Sequence, residues 1–141
     1  MPTLSSAISA SASALAAQRM RVEVAVSNLA NAESTRGPNG EPYRRRDVVL
    51  QSNQPMGFED TLGEAVGVKV VDVVEDQAPF QRRYDPAHVD ADADGYVALP
   101  NIETTTEMTD MMTASRAYQA NLAAISIIRD MLQKALDLGK S

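Results

Sequence analysis

Only Arg19, Arg21 and Glu23 carry charge in the first 32 positions of this chain. Around them stand mainly small residues: Ala7, Ser9, Ala10, Ala12, Ser13, Ala14, Ala16 and Ala17. The pattern predicts a helix from about Leu4 to Asn31, with Thr3 or Ser5 able to cap it, since a hydroxyl oxygen can accept from the free amides of a first turn. A seam at steps of 3 and 4 reads Leu4, Ile8, Ser11, Leu15, Gln18, Val22, Ala25, Leu29. A helix on the surface of a soluble monomer normally shows a charged outer face. This one has almost none, so protein, and not water, is expected to surround it in the working state.

The C-terminal third predicts a second helix, from about Glu103 to Leu138 and about 54 Å long. Its stripe reads Met108, Met111, Ser115, Tyr118, Leu122, Ile125, Ile128, Leu132, Ala135, closer to a 3.6 period than to a strict heptad. Gly139 is expected to close it as a glycine C-cap. Met108, Met111, Met112 and Met131 read as the packing face of this helix rather than as a promiscuous peptide groove. Polar residues on or beside the stripes, above all Asn28, Asn31 and Asn121, read equally well as tolerated surface polarity or as register control. A polar group at a packing position penalises every alignment that leaves it unpaired.

Between the helices, Arg36–Pro42 is rich in Gly and Pro, with a tight turn expected at Asn39-Gly40. Strands are expected at Tyr43–Gln51, Val68–Val74, Phe80–Tyr84 and Tyr96–Leu99, Val68–Val74 being the strongest through its β-branched density. Residues 52–66 read as a loop. The fold class is therefore α+β: two long terminal helices pairing in a coiled-coil-like arrangement, with a small antiparallel β unit of two to four strands between them. The expected divisions are 1–35, 36–102 and 103–141, the two helices forming one packing unit.

With 141 residues the chain can build one modest domain. It is 44% hydrophobic, but alanine supplies much of that and only six residues are Phe or Tyr, which suits closely packed helices better than a large core. There is no cysteine, hence no disulfide framework and no thiolate metal site. The net charge of −6 is concentrated in residues 67–100, and no face is basic enough to argue for nucleic acid. Arg44-Arg45-Arg46 reads as a solvated strand edge rather than a phosphate clamp. No apolar run approaches the ~18 residues of a membrane span. The first 18 residues lack Lys and Arg, unlike a secretory leader. The chain is thus expected to be cytosolic, or exported without cleavage.

Asp90–Gly95 matches the opening of an EF-hand loop, but position 12 is Asn101 and position 11 is Pro100, so it reads as an acidic hairpin turn. His88 is the sole histidine and is read as a loop surface residue. No nucleophile–base arrangement or cofactor cradle is framed, so no catalytic, cofactor or metal site is expected. The alternative from another class is a soluble coiled-coil binding module with an acidic, calcium-responsive loop.

Ser27-Asn28-Leu29-Ala30-Asn31-Ala32-Glu33-Ser34-Thr35 resembles the N-terminal signature of flagellar rod and hook axial proteins. Glu107-Met108-Thr109, Ala114–Leu122 and the ending Ala135–Lys140 resemble their C-terminal signature. The short length, Asp94–Asn101 and Pro38–Arg44 are similar to the proximal rod members of that family. The resemblance implies a structural subunit of the flagellar basal body in the periplasm, exported through the flagellar type III apparatus without signal cleavage. It implies terminal helices packed into an inner tube that transmits torque. The implied partners are copies of itself, other proximal rod proteins, the ring-to-rod adaptor and the distal rod protein. The expected assembly interface is Leu4, Ile8, Leu15, Val22, Asn28, Leu29 and Asn31 on the first helix, with Met108, Met111, Tyr118, Asn121, Leu122, Ile125, Ile128 and Leu132 on the second.

Overall fold

The computed structural model describes residues 4–53 and 67–139. Helix α1 spans Leu4–Ala30 and helix α2 spans Thr104–Leu138. Strands β1 (Arg46–Ser52), β2 (Val68–Glu75), β3 (Gln81–Tyr84) and β4 (Tyr96–Leu99) lie between them. The two helices pack against each other, and β1 and β2 pack on α1. Asn28 bonds Glu107, so the end of α1 meets the start of α2 and the helices run antiparallel. At ~1.5 Å per residue α2 is about 52 Å long. The described helices are not long and apolar enough to cross a membrane.

The four described strands supply the expected small antiparallel β portion as two pairs, β1–β2 and β3–β4. The first begins at Arg46 and not at Tyr43, because Tyr43 and Arg45 turn their side chains toward the helices. Val48, Leu50, Val68, Val70 and Val73 are half-buried. Strict alternation from Val68 would turn Asp72 inward. The register shifts between Val49 and Leu50, which pair with Asp72 and Val70. The extra residue, Val71, is a bulge that restores Val73 to the inner face and leaves the Asp72 carboxylate in solvent. At the base of this hairpin the Asn53 N–H donates to the Gly67 carbonyl (2.8 Å). The Ser13 hydroxyl accepts from the Val68 N–H (3.0 Å) and ties β2 to α1.

The turn at Asn39-Gly40 forms as expected, with Gly40 at φ 81°. The connection between β3 and β4 ends on Gly95, φ 82°, a left-handed conformation that costs a residue with a Cβ. The buried apolar side chains larger than alanine are Val97, Leu99 and Ile102, with Pro100 beside them, so they gather at β4 and the segment entering α2. Along the helices the buried apolar residues are Ala17, Ala25 and Ala114.

Several expectations need correction. The seam of α1 overlaps the predicted one only in part: Ala25 on it is buried, Leu4 is exposed, Ile8, Leu15, Val22 and Leu29 are half-buried, and the other buried positions, Ala17 and Asn28, lie beside it. Small residues win the centre because they let the backbones approach. Gly139 is the C-cap of α2 as expected, but at φ −77°, in the right-handed region, with its N–H donated to the Ala135 and Asp137 carbonyls, so no left-handed cap is used. Thr3, and the expected loop apart from Ser52 and Asn53, lie outside the described residues.

Candidate assembly interface

Asn28 and Glu107 are 1% and 2% exposed, the two buried polar side chains of the helix pair. Each hydrogen-bonding atom of Asn28 is matched. Nδ2 donates to the Arg46 carbonyl (2.8 Å) and to Glu107 Oε2 (3.0 Å). Oδ1 accepts from the Arg46 N–H (2.9 Å) and the Tyr43 hydroxyl (3.1 Å). The Arg46 backbone thereby sets which end of the amide faces Glu107: its N–H must meet the oxygen and its carbonyl the nitrogen. The other carboxylate oxygen of Glu107 accepts from Arg45 Nε (2.6 Å). A buried polar group without partners is costly, and here every member has them.

Arg45 also lies 3.7 Å from Asp47 and 4.0 Å from Asp110. Burial pulls the Arg45 guanidinium pKa down, but the bond and charge of Glu107, with Asp47 and Asp110 nearby, outweigh it and hold it above its ordinary range. Arg44 and Arg45 are therefore drawn off the solvated edge on which Arg46 remains exposed. Arg44 stacks over the Phe80 ring (4.6 Å) and Arg46 pairs with Glu75 (3.1 Å). The triplet cross-braces the hairpin, the turn and α2.

Asn31 and Asn121 behave differently. Each amide donates to a carbonyl of its own helix, Ser27 and Ala117 respectively, both at 2.8 Å. Neither joins the two helices through that bond. Met111, Ile125, Ile128 and Leu132 are half-buried, as a packing stripe requires. Met108, Met112 and Leu122 are 49%, 50% and 52% exposed, and Met131 and Tyr118 are exposed as well. Most of the methionine cluster is thus not the packing face within the chain. The antiparallel register points Glu107, Met111 and Ala114 at α1, and the neighbouring positions outward.

The outward face of α2 runs Met108, Met112, Gln119, Leu122 and Ser126, all exposed, with half-buried Ser115 at its edge. Between Asp110 and Arg129 the only charged residue is Arg116. The outward face of α1 runs Ser5, Ser9, Ala12, Ala16, all exposed, before the surface ion pair Arg19–Glu23 (2.8 Å). A cleft of about 360 Å³ lined by Arg19, Val22, Glu23, Ser115 and Tyr118 opens between the helices.

The acidic turn does not gather its carboxylates around a common point. Asp90 accepts from the Thr35 hydroxyl (2.8 Å) and faces Arg36 (3.6 Å). Asp92 accepts from the Tyr96 N–H (2.8 Å) and the Asp94 N–H (3.0 Å) and pairs with Arg82. The Tyr96 amide, with Arg82 and the Asp94 amide, holds its carboxyl below the usual range against a smaller opposing effect of burial. His88 Nδ1 accepts from the Asp90 N–H (3.1 Å). Among the described residues no three His, Asp or Glu side chains are grouped as metal ligands.

Sequence reasoning missed Tyr43, Arg45 and Glu107. One signal was available. Glu107 precedes Met111 by four positions and therefore sits on a packing stripe, where a carboxylate demands a partner.

Two family matches cover most of α1 and all of α2. Residues 8–38 match the family described as flagella basal body rod protein, and residues 93–138 match that described as flagellar basal body rod FlgEFG protein C-terminal. The chain is 48% identical to the flagellar basal-body rod protein FlgC of Escherichia coli O6:H1, over 91% of this chain and 92% of that relative. It is 44% identical to the FlgC protein of Bacillus subtilis, over 94% and 96% of the two chains. It is 37% identical to that of Agrobacterium fabrum, over 100% and 99%.

Proposed function

We infer how this chain works from the family to which it belongs, that of the flagellar basal-body rod protein FlgC. It is a structural subunit of the flagellar basal-body rod and not an enzyme. Our reading places it in the proximal rod, where its terminal helices bury against neighbouring subunits and form the torque-transmitting tube. The observation that carries this is the outward face of α2, where Met108, Met112 and Leu122 stay about half exposed beside a single charge over 18 positions, 111–128. Large apolar side chains exposed on a face so poor in charge mark a protein contact.

The outer stripes of the two helices are unlike: large apolar side chains set among Ser and Gln on α2, serine and alanine on the first half of α1. Contact between unlike patches is heterologous and builds open arrays or rings rather than closed dimers. That suits a rod. The interface we assign includes Leu4, Met108, Tyr118 and Leu122, which face outward. Ile8, Leu15, Val22, Leu29, Asn31, Met111, Asn121, Ile125, Ile128 and Leu132 form its half-buried flanks, and buried Asn28 supports it from within. The proposed partners are copies of this chain, the other proximal rod proteins, the ring-to-rod adaptor and the distal rod protein. Passage through the flagellar type III export apparatus without a cleaved leader, into the periplasmic space, belongs to the same reading.

The test is deletion of the chain followed by imaging of isolated basal bodies. Truncated structures without a rod, and cells that do not swim, are expected. A complete rod in the deletion strain would overturn the reading.

A further inference from the structure

Alanines alone cannot hold two long helices in a single alignment. The fully buried apolar residues of α1 and α2 are Ala17, Ala25 and Ala114, the larger stripe residues staying half-buried, and both helices offer more alanine nearby: Ala10 and Ala14 on α1, Ala117 and Ala124 on α2. Apolar burial has no direction. A slip of one turn, about 5.4 Å, exchanges one alanine contact for another at little cost. The Asn28–Tyr43–Arg45–Glu107 network responds differently. Tyr43 and the Arg46 backbone hold the Asn28 amide in place from the α1 side. Glu107 travels with α2. Sliding α2 by a turn carries its carboxylate away from both Asn28 and Arg45 while it is still within the helix pair. A buried carboxylate stripped of its partners is among the costliest defects a protein can hold.

We propose that this network is a register lock: it selects one axial alignment of α1 against α2, and its contribution is to uniqueness of alignment more than to stability. Replacing a buried polar pair with apolar residues is often neutral or stabilising, whereas removing one partner is not. The lock has a consequence for assembly, which rests on the reading proposed above. The outward stripes of α1 and α2 form one fixed surface only if the helices cannot slide.

The chain has no cysteine, so spin labels can be placed at Ser9→Cys and Thr113→Cys, both exposed, on opposite helices and offset along the axis. Pulsed dipolar spectroscopy on the full-length chain should give one distance. The apolar double variant Asn28→Leu/Glu107→Leu should add a second population displaced by about 5 Å. Glu107→Gln, which can still accept from Asn28, should keep the single distance. Asn28→Ala/Glu107→Ala carries the same comparison if the leucine pair leaves the helices unfolded by circular dichroism. A single unshifted distance in a folded double variant overturns the lock. So does a wild-type chain with several distances, or loss of helicity in both double variants, which would make the network a source of stability. Swimming scored in parallel separates the two readings: slipped helices in a strain that still swims would keep the lock and count against the assembly surface.

Discussion

Asn28 Nδ2 lies 3.0 Å from Glu107 Oε2, a hydrogen bond between residues 79 positions apart and nearly inaccessible to solvent. One lies in the N-terminal family match and the other in the C-terminal match. The two ends of the chain therefore meet through a neutral amide and a carboxylate, with Arg45 supplying the compensating charge.

Glu107→Ala should be far more damaging than Glu107→Gln. The alanine leaves an Asn28 donor and the half-buried Arg45 without their partner, at a cost of about 3 kcal/mol. Glutamine keeps one acceptor oxygen for Asn28 and fills the space, losing the charge and the acceptor that faces Arg45. Urea unfolding of the full-length chain, followed by helical circular dichroism, should rank the two in that order. Equal midpoints would contradict it.

Leu122→Asp should leave the isolated chain almost unchanged, within about 0.5 kcal/mol, because the side chain is half in solvent already. Swimming should nevertheless be lost, since the carboxylate would enter a packed contact between subunits. Normal swarm diameter in that strain would remove Leu122 from the interface.

Gly95→Ala should weaken the β3–β4 hairpin. The backbone there is at φ 82°, and a Cβ would stand 3.0 Å from the Tyr84 ring and 3.1 Å from Pro86 Cβ. The left-handed conformation alone costs about 1–2 kcal/mol. Faster amide exchange at Tyr96 and Val97, with α2 unaffected, is the expected signature.

The acidic turn should resist mild acid. Asp92 has a folded pKa below its ordinary value of 3.8, because the charged form accepts from the Tyr96 amide first of all and pairs with Arg82. A depressed carboxylate pKa contributes stability above the ordinary range and loses it as pH falls through the folded value. The Tyr96 and Asp94 amide resonances should hold their positions down past pH 3.8 and move only below it. A midpoint at or above that value would refute the assignment. Asp92→Ala should abolish the transition and leave helix pairing intact.

Much of the architecture was legible because it depends on local pattern. Periodicity alone gave both helices to within a residue or two at the described ends, and β-branched density gave β2. The packing surfaces were less legible. Periodicity identifies a stripe, but rotation by one position moves Met108 and Leu122 from seam to surface, and only the partner helix decides which rotation is used. The three asparagines show the same limit. All sit on or beside a stripe, yet Asn31 and Asn121 bond within their own helices while Asn28 crosses to a residue 79 positions away.

The sequence by itself determined that two long, charge-poor helices flank a β-rich middle, because helix and strand preferences act over a few residues and leave their periods in the chain. The tertiary structure decided which faces meet, why Arg45 is drawn in while Asp72 is turned out, and that alanines with one polar network, rather than the large side chains, lie at the centre of the helix pair. Those outcomes depend on which groups come together from distant positions. The penalty for an unpaired buried charge exists only once the fold has removed the water.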